Sequence, residues 1–285
     1  MGSPQTSLVS ARLAALIVAA AALGGCNSIG MSISEPDPDV AATSTNITSL
    51  TEVVQRNPSD PQAYNVRGAV LGRAGRNEEA LADFNKALAI NPTFAQAYAN
   101  RGLVYRQMRK FDLAFADYNK AIEIDASYAA AYLGRGMIYR QQGQAMQALE
   151  DFNKAIALKP DNAQAYYNRG LLYQAQHQHQ YAIDDFTTAI TLAQNQADSR
   201  VARAQSYLAI EDHKAAANDL DEAVQLETEN LQAWTTRGLA YERLGDKEKA
   251  AGSYARALII SKDYEPARKG FARVGGKPGQ NYATF

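Results

Sequence analysis

The sequence predicts an all-α solenoid, built from six consecutive helix–turn–helix repeats and closed by a capping helix at each end. Two observations predict this fold: residue types recur every 34 positions across residues 61–264, and within each unit they recur at helical spacings. One column is aromatic and holds Tyr64, Tyr98, Tyr132, Tyr166 and Trp234, with Arg200 as its exception. Another column, four residues on, is small and holds Gly68, Gly102, Gly136, Gly170, Ala204 and Gly238.

Each unit is predicted to hold two amphipathic helices, helix A and helix B, because its apolar columns are three, four and seven residues apart. The small column lets the two helices approach closely. A bulky column of helix B fills the space beside them and holds Phe84, Tyr118, Phe152, Phe186, Leu220 and Tyr254. A single hairpin cannot bury such a face, so neighbouring units must stack on one another.

The repeated unit resembles the tetratricopeptide repeat, whose pattern is W-x2-L-G-x2-Y, then A-x3-F, then A and P. In the first unit the matching residues are Tyr64, Gly68, Ala80, Phe84 and Ala87. The resemblance implies a right-handed superhelix with helix A on its inner face. It also implies that protein or peptide partners bind in the concave groove formed by that face.

The segments that flank the repeats differ from them, as the terminal units of a solenoid do. Residues 46–60 are predicted to form an N-terminal capping helix, and residues 265–274 a C-terminal one. The last residues, 275–285, read GGKPGQNYATF and are predicted to be disordered.

Residues 1–25 have the features of a signal peptide. One basic residue, Arg12, precedes an unbroken apolar run, Leu13 to Leu23, which is too short to span a bilayer. Leu23-Gly24-Gly25-Cys26 then resembles the lipobox of bacterial lipoproteins, and Cys26 is the only cysteine in the chain. The resemblance implies cleavage before Cys26 and acylation of it, a stable membrane anchor. The alternative is an ordinary secretory signal with an incidental cysteine.

Residues 26–45 are small, polar and Pro-containing, and are predicted to be a disordered tether between the lipid and the folded body. Asn27 directly follows the predicted lipidation site. In Gram-negative lipoproteins an Asp at this second position tends to retain the protein in the inner membrane. The resemblance therefore implies an anchor in the outer membrane, with the body on its periplasmic side.

Every repeat carries an arginine before the small column, and the first five carry an aspartate before the bulky column, where the sixth has Ser253. If each aspartate paired with the arginine of the next repeat, the partner position of Ser253 would be Phe271. No arginine would then need an aspartate at residue 253. We therefore expect structural bridges between repeats, at Asp83–Arg101, Asp117–Arg135, Asp151–Arg169, Asp185–Arg203 and Asp219–Arg237.

The candidate partner groove is the inner face of repeats 1–4. Its apolar residues are expected to form a floor, with basic and amide groups at the edge, an arrangement that suits a peptide segment of acidic character. The alternative is that some of the apolar residues pack only between repeats. The candidate residues are Arg73, Leu103, Arg106, Gln107, Leu133, Met137, Arg140, Gln141, Tyr167 and Leu171.

Composition excludes several classes of function. A formal net charge of −1 argues against a nucleic-acid binder, and one cysteine with three histidines leaves little material for a metal site. His177 and His179 are expected in a solvated turn, with metal binding there as the alternative. No phosphate loop, nucleophile motif or pair of catalytic acids is present, so neither catalysis nor a cofactor is expected.

The sequence thus predicts a lipid-anchored scaffold without activity of its own. The whole chain resembles outer-membrane adaptor lipoproteins that carry such repeats and dock cell-wall hydrolases and a protease. A lipoprotein of pilus assembly that escorts a secretin is the alternative, and an enzyme is a third hypothesis. A homodimer through the helix at 46–57 is a further expectation from the resemblance.

Overall fold

The structure, a computed structural model, describes residues 44–280 and residue 282, and these contain fourteen α-helices and no strand. The lipidation site, the signal peptide and nearly all of the predicted tether lie outside the described residues. The helices are α1 Ser44–Arg56, α2 Pro61–Arg73, α3 Asn77–Ile90, α4 Ala95–Gln107, α5 Phe111–Ile124, α6 Ala129–Gln141, α7 Ala145–Leu158, α8 Ala163–Ala175, α9 His179–Leu192, α10 Ala197–Ala209, α11 His213–Leu226, α12 Leu231–Leu244, α13 Lys247–Ile260 and α14 Glu265–Arg273.

The predicted all-α solenoid is confirmed. Each even-numbered helix from α2 to α12 is helix A of a repeat and packs against the helix B that follows it, and each helix B also contacts the next helix A. Helices α1 and α14 pack on the two ends of this row. None of the described helices has the length and apolar character needed to cross a membrane.

The turns between helix A and helix B share one backbone conformation. In every repeat the residue two positions before helix B has a positive φ, which glycine adopts at no steric cost. Repeats 1, 3 and 6 have glycine there, whereas Arg109, His177 and Glu211 adopt φ values of 59°, 59° and 66°. His177 therefore occupies a turn position, as the sequence predicts.

The core is a row of buried rings between the helices. Phe84, Phe152 and Phe186 are fully buried, each against the glycine of its own helix A. Tyr118 and Tyr254 replace phenylalanine in repeats 2 and 6, and each also lies against a glycine of the following helix A, Gly134 or Gly270. The extra hydroxyl fits because these two glycines leave room for it.

Gly134→Ala is expected to lower the free energy of unfolding by about 1–2 kcal/mol, the usual cost of overpacking a core. A Cβ at this position would overlap the ring carbon Cζ of Tyr118, and this overlap exceeds the gain in helix propensity. Urea unfolding followed by circular dichroism measures the change.

The double variant Gly134→Ala/Tyr118→Leu provides the control for that prediction. At the corresponding positions repeat 5 has Leu220 and repeat 6 has Thr236, so a side chain is accepted there when no ring is present. We expect the double variant to lose less unfolding free energy than the sum of the losses of Gly134→Ala and Tyr118→Leu. A loss equal to that sum would contradict the proposed overlap.

Each end of the row of repeats has contacts of its own. At the N-terminal end, Val54 of α1 is buried, and Ile47 packs against the cluster of Leu71 and Phe84. At the C-terminal end, the ring of Tyr282 lies edge-on to Phe271, with centroids 5.7 Å apart, and the Gly276 N–H donates to the Phe271 carbonyl. Tyr282 and Gly276 thus contact α14, and disorder of 275–285 as a whole stays a prediction.

Candidate partner groove

The inner face of the solenoid is formed by the A helices, as the resemblance implies. Successive A helices contact one another directly, from α2·α4 to α12·α14, whereas contacts between successive B helices are at most sparse. A row of hairpins that packs more closely along one side curves toward that side. The side chains of the A helices therefore line the concave surface on which a partner would lie.

The arginine and aspartate columns pair within each repeat, so the predicted pairing between repeats is wrong. Each guanidinium donates from Nε and Nη2 to both oxygens of the aspartate on the following helix B, and the Nη2–Oδ1 distances are 2.6–2.7 Å. The aspartates are almost fully buried. The pairs are Arg67–Asp83, Arg101–Asp117, Arg135–Asp151, Arg169–Asp185 and Arg203–Asp219.

The same guanidinium groups also link neighbouring repeats, but through a different residue from the one expected. In each case Nη1 donates to a side chain on the helix that precedes the arginine's own helix. Asp83 and Asn85, for example, are two residues apart on α3, and about 200° of rotation directs them to opposite sides of that helix. The acceptors are Thr51, Asn85, Asn119, Asn153 and Thr187, at 2.7–3.4 Å.

The sixth repeat exchanges the two roles. Arg237 donates from Nη1 to the Ser253 hydroxyl at 2.8 Å and from Nε to Asp221 at 2.6 Å. Asp221 stands on the preceding helix B, where the other repeats have Asn or Thr, so the carboxylate has moved but has not been lost. The absence of an aspartate at residue 253 therefore did not mean that the aspartates pair with the next repeat.

Each of these six arginines also lies over one or two aromatic rings of its own helix A. The closest is Arg237, whose Cζ is 4.9 Å from the ring centroid of Tyr241 and 5.5 Å from that of Trp234. These side chains are held by a carboxylate, a polar neighbour and aromatic rings, which together engage three of the five N–H donors of most of them. The arginine column thus stabilises the stack of repeats.

The ten candidate groove residues do not form one continuous floor. Arg73, Leu103 and Gln107 line a small cavity of about 60 Å³ between α2 and α4. Tyr167 and Leu171 line another of about 230 Å³, together with residues of α10, and both also pack against the cluster of Phe186. Leu133 and Met137 are half-buried and pack against the cluster around Phe152, so these two also serve the packing between repeats.

Two basic residues of the groove differ from the arginine column. Arg106 and Arg140 are half-buried on α4 and α6, and the buried Nε of each has no hydrogen-bond partner. Arg140 donates from Nη2 to Asn168 Oδ1 at 3.3 Å. Desolvation lowers the pKa of Arg140, and the nearby charge of Arg106 lowers it further. Gln141 is exposed at the end of α6.

Two parts of the inner face were not predicted from the sequence. Asn65 and Asn168 are almost fully buried, and Asn100 donates to Asn65 Oδ1 at 2.9 Å across neighbouring A helices. A larger cavity, of about 350 Å³, lies between α12 and α14 and is lined by residues such as Leu239 and Lys269. Leu239 occupies the same column as Leu103 and Leu171, and this register could have indicated the cavity from the sequence.

His177 and His179 lie close together, with ring centroids 6.0 Å apart. Within the part of the chain that the structure describes, no third His, Cys, Asp or Glu joins them in a group able to hold a metal ion. Only His177 lies in the exposed turn; His179, also expected there, is the half-buried first residue of α9. Two imidazoles alone do not complete a tetrahedral site.

These features define a helical-repeat solenoid that presents an extended concave surface, the class of protein suited to protein–protein interaction. Models of the tetratricopeptide-repeat family match successive parts of the chain. A "TPR repeat" model matches 73–108 and 136–177, and models described as "Tetratricopeptide repeat" match 95–128 and 163–196, 117–150, and 201–266. Together they cover 73–196 and 201–266, and the chain is an all-α tetratricopeptide-repeat protein.

Solved structures show the same fold. The Cut9–Hcn1 structure of the APC/C has a TM-score of 0.73 at 20% identity, covering 83% of this chain and 47% of that one, so the chain spans about half its length. PilF of Pseudomonas aeruginosa has a TM-score of 0.69 at 21% identity, and the match covers 77% of this chain and 99% of PilF. YrrB, described as having an unusual peptide-binding site, has a TM-score of 0.55 at 24% identity, covering 65% and 96%. No curated protein matches the chain.

Proposed function

We propose that this protein is a lipid-anchored adaptor, held by Cys26 at the periplasmic face of the outer membrane, which binds partner proteins along its inner face and has no catalytic activity. The observation that carries the binding role is a contrast between two sets of side chains. The repeated Arg–Asp pairs are engaged in the fold, whereas cavities remain between the A helices, and the buried Nε atoms of Arg106 and Arg140 have no hydrogen-bond partner.

The groove favours an extended segment of a partner over a small molecule. Its cavities are separated along the row of A helices, and polar groups such as Gln107 and Gln205 form part of their lining. A ligand that contacts several of them must span several repeats, which a peptide does and a metabolite does not. The partners proposed from the resemblance are cell-wall hydrolases or a protease.

The anchor is supported by the order of features in residues 1–27: a short apolar run, Leu23-Gly24-Gly25, the lone Cys26 and then Asn27. Two or three acyl chains on one cysteine make a stable anchor, whereas one chain binds only marginally. An adaptor without chemistry of its own acts by fixing its partners at one place, so the anchor is part of the proposed function.

Cys26→Ala is expected to move the protein from the membrane fraction to the soluble periplasmic fraction, with loss of labelling by radioactive palmitate. The folded body should be unchanged by circular dichroism, because the first repeat begins only at residue 61. The control is Asn27→Asp, which keeps the lipid and is expected to shift the protein to the inner membrane. Cys26→Ala protein that stays in the membrane would contradict the anchor.

A second experiment identifies the partner by affinity purification from cross-linked envelopes. It compares wild type with a groove variant that carries Tyr167→Ala and Leu171→Ala. The control is Met146→Ala, a change at a side chain that is 84% exposed on helix B. Hydrolases or a protease lost only from the groove variant support the adaptor. A secretin subunit instead would favour the pilus-assembly alternative, and turnover abolished by a point substitution would contradict the absence of catalysis.

A further inference from the structure

Arg106 and Arg140 occupy the same position in successive repeats, on neighbouring A helices. The corresponding residues of the other repeats are Gly72, Gln174, Leu208 and Glu242. Two cations thus occupy equivalent positions on α4 and α6, two A helices that contact one another. The charge of Arg106 contributes to lowering the pKa of Arg140. Tyr118 lies beside Arg106, and Tyr167 beside Arg140.

Both arginines lack the counter-charge that the repeated column has. Among the described residues, no carboxylate lies within 4.0 Å of either guanidinium, and the buried Nε of each donates to nothing. Arginine stays charged in proteins, and two half-buried like charges close together, each with an unpaired Nε donor, are unfavourable. In the sixth repeat the same position shows a satisfied arrangement, because Glu242 there accepts hydrogen bonds from Tyr254 and Arg273.

We propose that Arg106 and Arg140 together bind the side-chain carboxylate of an Asp or Glu in a partner segment that lies along the inner face. This inference deepens the proposed function and rests on it. A carboxylate has two oxygens with lone pairs for several N–H donors, so a single acidic side chain can accept from both guanidinium groups.

The surroundings of the pair favour a peptide over an isolated anion or a lipid headgroup. Leu103, 39% exposed, precedes Arg106 by one turn of α4 and borders the cavity of about 60 Å³, which has room for a small apolar group. Met137 lies one turn before Arg140 on α6 and is half-buried. An acidic residue with apolar neighbours in an extended chain would satisfy the cations and these side chains together.

The test is a selection from a random peptide library displayed on phage, carried out with wild type, the double variant Arg106→Gln/Arg140→Gln, and Arg109→Gln. The Arg109 substitution removes one positive charge from an exposed turn outside the inner face and is the control for loss of charge elsewhere. Wild type and the control are expected to enrich Asp or Glu at one fixed position, and the double variant is expected to lose that enrichment. Circular dichroism checks that all three proteins are equally folded, with the single variants as replacements if the double variant is not.

The affinity of one enriched peptide and its Glu→Gln counterpart gives the size of the effect. Wild type is expected to bind the Glu peptide roughly tenfold more tightly, as a charge-assisted pair at a half-buried site requires, and the double variant is expected to bind both equally.

Three results would overturn the inference. Peptides without a preferred acidic position would contradict the carboxylate site while leaving the peptide groove intact. Equal acidic enrichment by all three proteins would also contradict the carboxylate site and leave the peptide groove intact. Failure to enrich any peptide would contradict the groove itself, and arginine-dependent binding of phosphatidylglycerol vesicles in that case would assign the cations to a lipid headgroup.

Discussion

Asp151→Ala is expected to lower the free energy of unfolding by about 3 kcal/mol, because it breaks a buried ion pair by removing one partner. Asp151 accepts from Arg135 at 2.7 and 2.8 Å, and the side chains of the two residues are 4% and 20% exposed. Such a change leaves the other charge without compensation, which costs about 3–5 kcal/mol; the partial exposure of Arg135 places this case at the lower end. Urea unfolding of the whole chain, followed by circular dichroism, measures the loss.

Two further variants separate the charge effect from packing. Glu150→Ala removes a carboxylate from the more solvent-exposed side of the same helix, and a change within about 0.5 kcal/mol is expected. Arg135→Met/Asp151→Leu removes both charges, and it should be more stable than Asp151→Ala, because apolar replacements of a buried pair are nearly neutral. Burial raises the pKa of Asp151 in spite of its hydrogen bonds from Arg135, which supports a large desolvation cost for this carboxylate. A double variant no more stable than Asp151→Ala would contradict the explanation.

Asp221→Asn is expected to lower the free energy of unfolding by about 2 kcal/mol, the usual contribution of a charged hydrogen bond at a buried group. Adding Ser253→Asp should restore most of this loss, because the double variant places the carboxylate where the first five repeats have it. The side chain of Arg237 is 4% exposed, and Asp221 is the carboxylate that balances its charge. The Tyr241 hydroxyl also donates to Asp221 at 2.8 Å. Urea unfolding of the single and double variants measures these changes.

The coupling between the two substitutions decides this prediction. Ser253→Asp alone puts a second carboxylate on the same guanidinium, close to Asp221, so it should be neutral or slightly destabilising. A positive coupling of more than about 1 kcal/mol in the double-mutant cycle is expected. Additive effects would show that Arg237 does not exchange one carboxylate for the other, and that the sixth repeat is stabilised in another way.

The pairing of charges could not be derived from residue spacing. Arg101 lies about midway in the sequence between Asp83 and Asp117, and both separations are compatible with two adjacent helices. The choice depends on the rotation of each helix B, which directs Asp83 toward its own helix A and Asn85 toward the next one. That rotation is a property of how the hairpin packs and leaves no separate trace in a periodic sequence.

The candidate groove was predicted in part for a related reason. The helix period placed Leu103, Tyr167 and Leu171 on one face of helix A, and each lines a cavity between the A helices. Whether a side chain on that face is open or packed depends on the neighbouring repeat: Met137 lies against the cluster of Phe152, although it has the same register as Leu103. That Arg106 and Arg140 have no carboxylate partner likewise depends on which acidic side chains the fold brings near.

The sequence by itself determined the all-α class and the number and length of the repeats, because a 34-residue period with helical spacing has few other solutions. That helix A forms the inner face was implied by the resemblance to the tetratricopeptide repeat. Only the tertiary structure decided which charges pair, where cavities open between the A helices, and that Tyr118 and Tyr254 depend on glycines of the next A helix. These features depend on side-chain directions and on contacts across repeats, and they are fixed when the hairpins stack.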